Sequence, residues 1–169
     1  MEKRKVEISI RRLKVYLDEV GIKVVKLAEL SDLNPQHLSK ALCGTPDNKT
    51  GRPTSLTQEQ LRSLEFGMEQ LAYELGNIFI AYDHDLEVVK RSGNRFCPAC
   101  VEQIKQKIRP YMSLLPFMQQ TLGWNYSKVR NVIDKQDSPS SGNISRDDCD
   151  RINIRMAEIA ARLGSFSFV

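Results

Sequence analysis

A chain of 169 residues with 41% hydrophobic and 27% charged side chains has the proportions of one ordinary globular domain or two small ones, which excludes wholesale disorder. The opening MEKRKVEISIRRLKV interrupts with charges the apolar core a secretory signal needs, and no stretch approaches the roughly 18 apolar residues of a membrane helix. A soluble, cytoplasmic protein with no membrane partner is expected. The net charge of +4 is uneven, because residues 1–91 hold 14 basic and 14 acidic side chains while residues 92–169 hold 11 and 7. This balance permits a local nucleic-acid patch without requiring one.

Taken in chain order, apolar residues recur at spacings of three and four: Ile10, Leu13, Leu17 and Val20; Leu61, Leu64, Met68, Leu71 and Leu75; Ile104 and Ile108; Ile152, Met156, Ile159 and Leu163. That period predicts an all-α protein. Thr57 followed by Gln60, and Ser145 followed by Asp148, have the spacing of a capping box at a helix start. Two polar loops rich in Pro and Gly, CGTPDNKTGRPTS and KQDSPSSGN, interrupt the helices. The short run IFIAY at 78–82 is ambiguous between strand and irregular structure.

The chain also repeats itself. In a register of 91 residues, Leu13 meets Ile104, Leu17 meets Ile108, Leu33 meets Trp124, Asn34 meets Asn125, Leu38 meets Val129 and Leu42 meets Ile133. Beyond the polar loop the register becomes 88, where Leu64 meets Ile152, Met68 meets Met156, Leu71 meets Ile159, Leu75 meets Leu163 and Gly76 meets Gly164. The series implies two copies of one unit of four to five helices, at 1–82 and 96–169. A linker over 83–95, DHDLEVVKRSGNR, joins them.

Within each copy the second and third helices have the pattern of a helix-turn-helix. In KVVKLAELSDLNPQHLSKALCG the turn falls at 31–33, Leu33 plugs the core, Asn34 is the N-cap and Pro35 the first helical residue. In FMQQTLGWNYSKVRNVID, Gly123 stands at the turn, where a left-handed backbone is needed, and Trp124 is the plug. Asp32 takes the place of Gly123 in the first copy, and Asp tolerates that conformation better than most residues.

This arrangement resembles the lambda-repressor-like DNA-binding domains of phage and bacterial regulators, and the resemblance extends over nearly the whole chain, twice. It rests on Leu27, Ala28, Leu33, Asn34, Leu38 and Gly44, and on Gly123, Trp124, Asn125 and Val129. It implies two tandem lambda-repressor-like helix-turn-helix domains that bind duplex DNA sequence-specifically through unlike recognition helices, as a transcriptional regulator of phage or mobile-element type. At the start of helix two, where the family commonly has a polar cap and a phosphate-contacting Gln, this chain has Lys23-Val24 and Leu114-Leu115. The alternative is a degenerate helix-turn-helix module that docks a protein partner or self-associates without DNA.

Helical angles select the residues that could read a groove. With Leu38, Ala41 and Leu42 facing inward, Gln36, Lys40 and Cys43 face out, flanked by His37 and Ser39. With Val129, Val132 and Ile133 inward, Ser127, Asn131 and Asp134 face out, flanked by Lys128 and Arg130, with Tyr126 at the helix start. Gln and Asn can pair with adenine, and Arg with guanine, through two hydrogen bonds each. Lys49, Arg52, Lys135 and the amino-terminal Lys3, Arg4 and Lys5 are candidates for phosphate contact or an arm along the duplex. A chain with both copies active would act as a covalent pseudo-dimer on two unlike half-sites, with further homo-oligomerisation left open.

Other signals are weaker. The four cysteines, Cys43, Cys97, Cys100 and Cys149, are too sparse for a disulfide scaffold. Cys97-Pro98-Ala99-Cys100 is half of a zinc signature, without a second CxxC or a His pair, and reads instead as a helix start with Cys97 capping. Asp83-His84-Asp85 reads as solvated linker. With no phosphate loop and no nucleophile motif, neither a catalytic residue nor a metal or cofactor is expected.

Overall fold

The computed structural model describes residues 2–89, 93, 95–134 and 144–168. Those residues are mostly helical. The helices are α1 (Glu2–Val20), α2 (Val24–Leu30), α3 (Pro35–Cys43), α4 (Gln58–Gly76), α5 (Pro98–Lys107), α6 (Leu114–Leu122), α7 (Tyr126–Val129) and α8 (Arg146–Gly164). No helix among the described residues is long and apolar enough to cross a membrane.

The local reasons for these elements are those expected. In α1 the residues Ile10, Leu13, Leu17 and Val20 form one buried stripe, each full burial of such a side chain stabilising the fold by about 1.5–3 kcal/mol. Gly21 ends α1 with φ of 87°, and its N–H and that of Ile22 both return to the Leu17 carbonyl at 2.8 and 2.9 Å. Both capping boxes form. Gln60 N–H donates to Thr57 Oγ1 at 3.2 Å while Thr57 N–H donates to Gln60 Oε1 at 2.9 Å. Asp148 N–H donates to Ser145 Oγ at 3.1 Å while Ser145 N–H donates to Asp148 Oδ2 at 3.0 Å. Each box satisfies two orphan donors of a long helix.

The chain divides into two compact units, Met1–Gly76 with Ile159–Val169, and Asn77–Glu158. In the first, α2 packs on α4, and α3 on α1 and α2. The approach of α4 to α2 is set by Gly67: a Cβ there would stand 1.9 Å from Ser31 Oγ and 2.8 Å from Ser31 Cα. In the second, α7 packs on α6, and its continuation on α5.

These divisions differ from the bounds read from the sequence. Residues 77–82 group with the second unit and residues 159–169 with the first. IFIAY forms no strand, because side chains rather than a neighbouring strand hold its backbone. The described part of the expected linker has structure of its own. Asp83 accepts from the Asp85 N–H at 2.9 Å and starts a single 3-10 turn, His84–Leu86. Then β1 (Val88–Val89) pairs antiparallel with β2 (Arg95–Phe96), Val88 opposite Phe96. Buried Phe96 anchors this pair. The loop KQDSPSSGN, with Lys135, lies outside the described residues apart from its neighbours.

Candidate nucleic-acid interface

The segment expected to form the first helix-turn-helix runs from α2 to α3. Helix α2 stops at Ser31, and Asp32 then adopts a left-handed backbone at φ of 51°, the only non-glycine among the described residues with positive φ. The turn closes when Leu33 N–H returns to the Ala28 carbonyl at 2.9 Å. Leu33 itself is only half-buried. Asn34 caps α3 by accepting from the N–H groups of Gln36 and His37 at 2.9 and 3.1 Å, with Pro35 at the first position.

The other end of α3 is held by a residue that local sequence did not single out. Arg11 of α1 donates from Nη1 to the Cys43 carbonyl at 2.9 Å. Its guanidinium fills the space beside Gly44, where a Cβ would stand 1.7 Å from Nη2. A cation at a helix C-terminus is favoured by the partial negative charge there, and Gly44, left-handed at φ of 65°, is the residue that admits it. The only signal in the sequence was that closing glycine, since Arg11 lies 32 residues away.

With Leu38, Ala41 and Leu42 buried, α3 exposes Gln36, Lys40 and Cys43, and half-buries His37 and Ser39. His37 Nε2 is buried and finds no hydrogen-bond partner among the described residues. The loop after α3 is closed on itself: Asp47 N–H donates to the Arg52 carbonyl at 2.7 Å, Lys49 N–H to Asp47 Oδ1 at 2.7 Å, and Thr54 Oγ1 to the Thr45 carbonyl at 2.7 Å. Lys49 and Arg52 are exposed on this loop. Lys3, Arg4 and Lys5, read from the sequence as phosphate contacts or an arm along the duplex, belong to the first turns of α1 and so stand on a helix rather than in an extended arm.

The segment expected to form the second helix-turn-helix also has a left-handed residue between two helices. Helix α6 ends at Gly123, left-handed at φ of 70°, and Trp124 is buried to 4% exposure. Asn125 accepts from the Lys128 N–H at 2.8 Å and caps α7. After Val129 the winding widens to a π-helical segment, Arg130–Asp134, where a regular helix was expected. The change comes among Val129, Val132 and Ile133, β-branched residues with reduced preference for the α-helix.

All three of those residues are nevertheless buried, as the helical angles required. Tyr126, Ser127, Lys128 and Arg130 are exposed, and Asn131 is half-buried. The Lys128 ammonium lies 4.6 Å from the Trp124 ring centre, within cation–π range. Asp134 is exposed but occupied: its carboxylate pairs with Arg109 at 3.0 Å. A groove-reading role for Asp134 therefore competes with that ion pair.

The cysteines lie elsewhere. Cys97 stands at the N-cap of α5 without a side-chain capping bond; its thiol instead approaches the Asp83 carbonyl at 3.7 Å. Cys100 donates to the Ala81 carbonyl at 3.4 Å. Hydrogen bonding to Cys149, followed by burial, pushes the Cys100 thiol well above its ordinary range, which disfavours the reactive thiolate. Cys97, Cys100 and Cys149 are buried free thiols. Among the described residues no group of three or more His, Cys, Asp or Glu side chains is arranged to hold a metal ion. Asp83-His84-Asp85 supplies the turn described above, with His84 Nδ1 at 2.9 Å from Glu87 Oε1.

No family model, curated protein or solved structure matches this chain.

Proposed function

We propose that the chain is a sequence-specific duplex DNA-binding protein built as a tandem repeat of two lambda-repressor-like helix-turn-helix copies, serving as a transcriptional regulator. The observation that carries this reading is the left-handed hinge between two helices in each half, Asp32 and Gly123, followed at once by an Asn-capped third helix with an outward polar face. A capped helix of this kind presents its first turns to the major groove. Gln36 and Lys40 are the candidate base readers in the first copy; Ser127, Arg130 and Asn131 are those in the second. Lys49, Arg52 and Lys128 supply phosphate contacts, with His37, Ser39 and Tyr126 at the margins. No catalytic residue is assigned.

The reading is tested by fluorescence anisotropy on random and selected duplexes over a salt series. Affinity for random duplex falls steeply with salt, because each neutralised phosphate releases counterion. Joint replacement of Lys128 and Arg130 by Ala reduces affinity, and Gln36→Ala costs about 1–3 kcal/mol at one half-site. Absence of association at micromolar protein and low salt overturns the proposal.

The second reading, a helix-turn-helix that docks protein, is favoured by exposed apolar residues. Val25 at the start of α2 is 65% exposed, and Ile8 and Val15 line an open groove on α1 alongside Arg4, Arg12 and Arg162. Anisotropy that is indifferent to the Lys128 and Arg130 substitutions supports it.

A further inference from the structure

The segments following α4 and α8 are held in matching ways. After α4, Asn153 of α8 clamps both backbone groups of Ile80, accepting from its N–H at 2.8 Å and donating to its carbonyl at 2.9 Å. Gln103 of α5 does the same for Ala81 at 2.9 and 2.8 Å, and Lys107 donates to the Phe79 carbonyl at 2.8 Å. After α8, Glu65 of α4 accepts from the Phe168 N–H and from the Ser167 hydroxyl, and the Phe166 ring lies 6.0 Å from that of Tyr16 on α1.

Burial follows one pattern in both segments. Ile78 and Phe166 are half-buried, Phe79 and Ser167 exposed, Ile80 and Phe168 buried. The main correspondences fall in the register of the sequence repeat: Ile80 and Phe168 are 88 apart, as are Asn153 and Glu65 that grip them, while Lys107 and Tyr16, 91 apart, reach neighbouring arm positions, Phe79 and Phe166. In each case the residues that grip a segment come from the copy that the segment does not follow. Two unrelated tails have no reason to share both the buried anchor position, Ile80 and Phe168, and the residue that grips it, Asn153 and Glu65.

Building on the tandem-repeat reading, we propose that exchange of these two arms holds the copies as a pair. Each copy carries, between its first and last helices, a groove whose occupant is the arm following the other copy's last helix. The apolar anchor of each arm supplies burial, and the grips on Ile80 and Phe168 satisfy part-buried backbone groups. The chain is then a single-chain form of an arm-exchanged dimer, and the covalent connection near Gly93 is dispensable for pairing.

The test uses the full chain with a protease recognition sequence inserted after exposed Gly93, cut under native conditions and run by size exclusion with light scattering. The two fragments are expected to elute together with the mass of the uncut protein. Ile80→Asp with Phe168→Asp is expected to make the cut fragments elute apart, with circular dichroism of the uncut variant reporting that helix is retained. Should that variant lose its helix, Asn153→Ala with Glu65→Ala tests the grips alone and is expected to raise the fragment dissociation constant at least about tenfold. Separation of the unsubstituted fragments, or association as tight with altered arms as without, overturns the proposal. Anisotropy on the uncut chain reports DNA binding independently, so failure of the arm exchange is distinguished from failure of the DNA reading.

Discussion

The helices that follow the two left-handed turns are held by different chemistry. Pro35–Cys43 is a regular helix closed by left-handed Gly44 and clamped by the Arg11 guanidinium on a backbone carbonyl. Tyr126–Val129 is a single turn that widens into Arg130–Asp134 and is secured through a side chain, Asp134 on Arg109. Behind them, the first half uses a half-buried Leu33 and the close meeting of Gly67 with Ser31, while the second uses a buried Trp124 roofed by Lys128. Both turns share a left-handed residue, a following Asn cap and a buried apolar face, while the contacts that support them differ.

The largest expected difference lies at the plug. Trp124→Ala empties a large buried site and should cost about 3–5 kcal/mol, whereas Leu33→Ala, half-exposed at the start, should cost less than half as much. Urea unfolding followed by circular dichroism measures both. Equal losses would mean that Leu33 and Trp124 share one structural role despite their different burial.

A second contrast concerns how closely the last helix approaches helix two. Gly67→Ala places a methyl against the backbone of Ser31, which a flexible side chain cannot relieve, so a loss of about 1–3 kcal/mol is expected. Arg155, which stands in the matching register position and pairs with Glu158 at 3.3 Å, should change stability by about 0.5 kcal/mol or less on replacement by Ala. A neutral Gly67→Ala would show that α2 and α4 can separate freely.

The closing glycines sharpen the comparison further. Gly44 and Gly123 have φ of 65° and 70°, so Ala at either carries left-handed strain of about 1–2 kcal/mol. Gly123 faces open space, but Ala at Gly44 also displaces Arg11. Gly44→Ala should therefore cost about 1 kcal/mol more, the usual contribution of a hydrogen bond. In the Arg11→Ala background that excess should vanish, which a double-mutant cycle reads directly.

What was legible in the sequence was what is encoded locally. The helical period, both capping boxes, the Asn34 and Asn125 caps, the left-handed Asp32 and the inward faces Leu38–Ala41–Leu42 and Val129–Val132–Ile133 each follow from residues within one or two turns. The candidate readers Gln36, Lys40, Ser127, Lys128 and Arg130 are exposed for the same reason. Features set by distant partners were not legible: Arg11 beneath α3, the Arg109–Asp134 pair, and the assignment of residues 77–82 and 159–169 to their units. The π-helical winding at Arg130 escaped a reading based on the regular period, and the β pair at 88–96 was hidden because two-residue strands carry almost no alternation.

The smallest expected effect comes from the turn at 82–87, which gives the second unit a titratable element. Burial, and then the neighbouring Glu87 carboxylate, push the Tyr82 hydroxyl from 10.0 up to about 12. The folded state therefore favours the protonated phenol, and its contribution to stability is complete below pH 10 and is lost as pH rises toward 12. Tyrosinate absorbance should show the Tyr82 ionisation late, and Glu87→Gln should bring it earlier without restoring the ordinary value, because burial is the larger cause. Trp124, the single tryptophan, reports on the second unit. Its fluorescence should shift along with the late ionisation if Tyr82 is coupled to that core, whereas an unchanged emission through the Tyr82 transition would confine the effect to the turn.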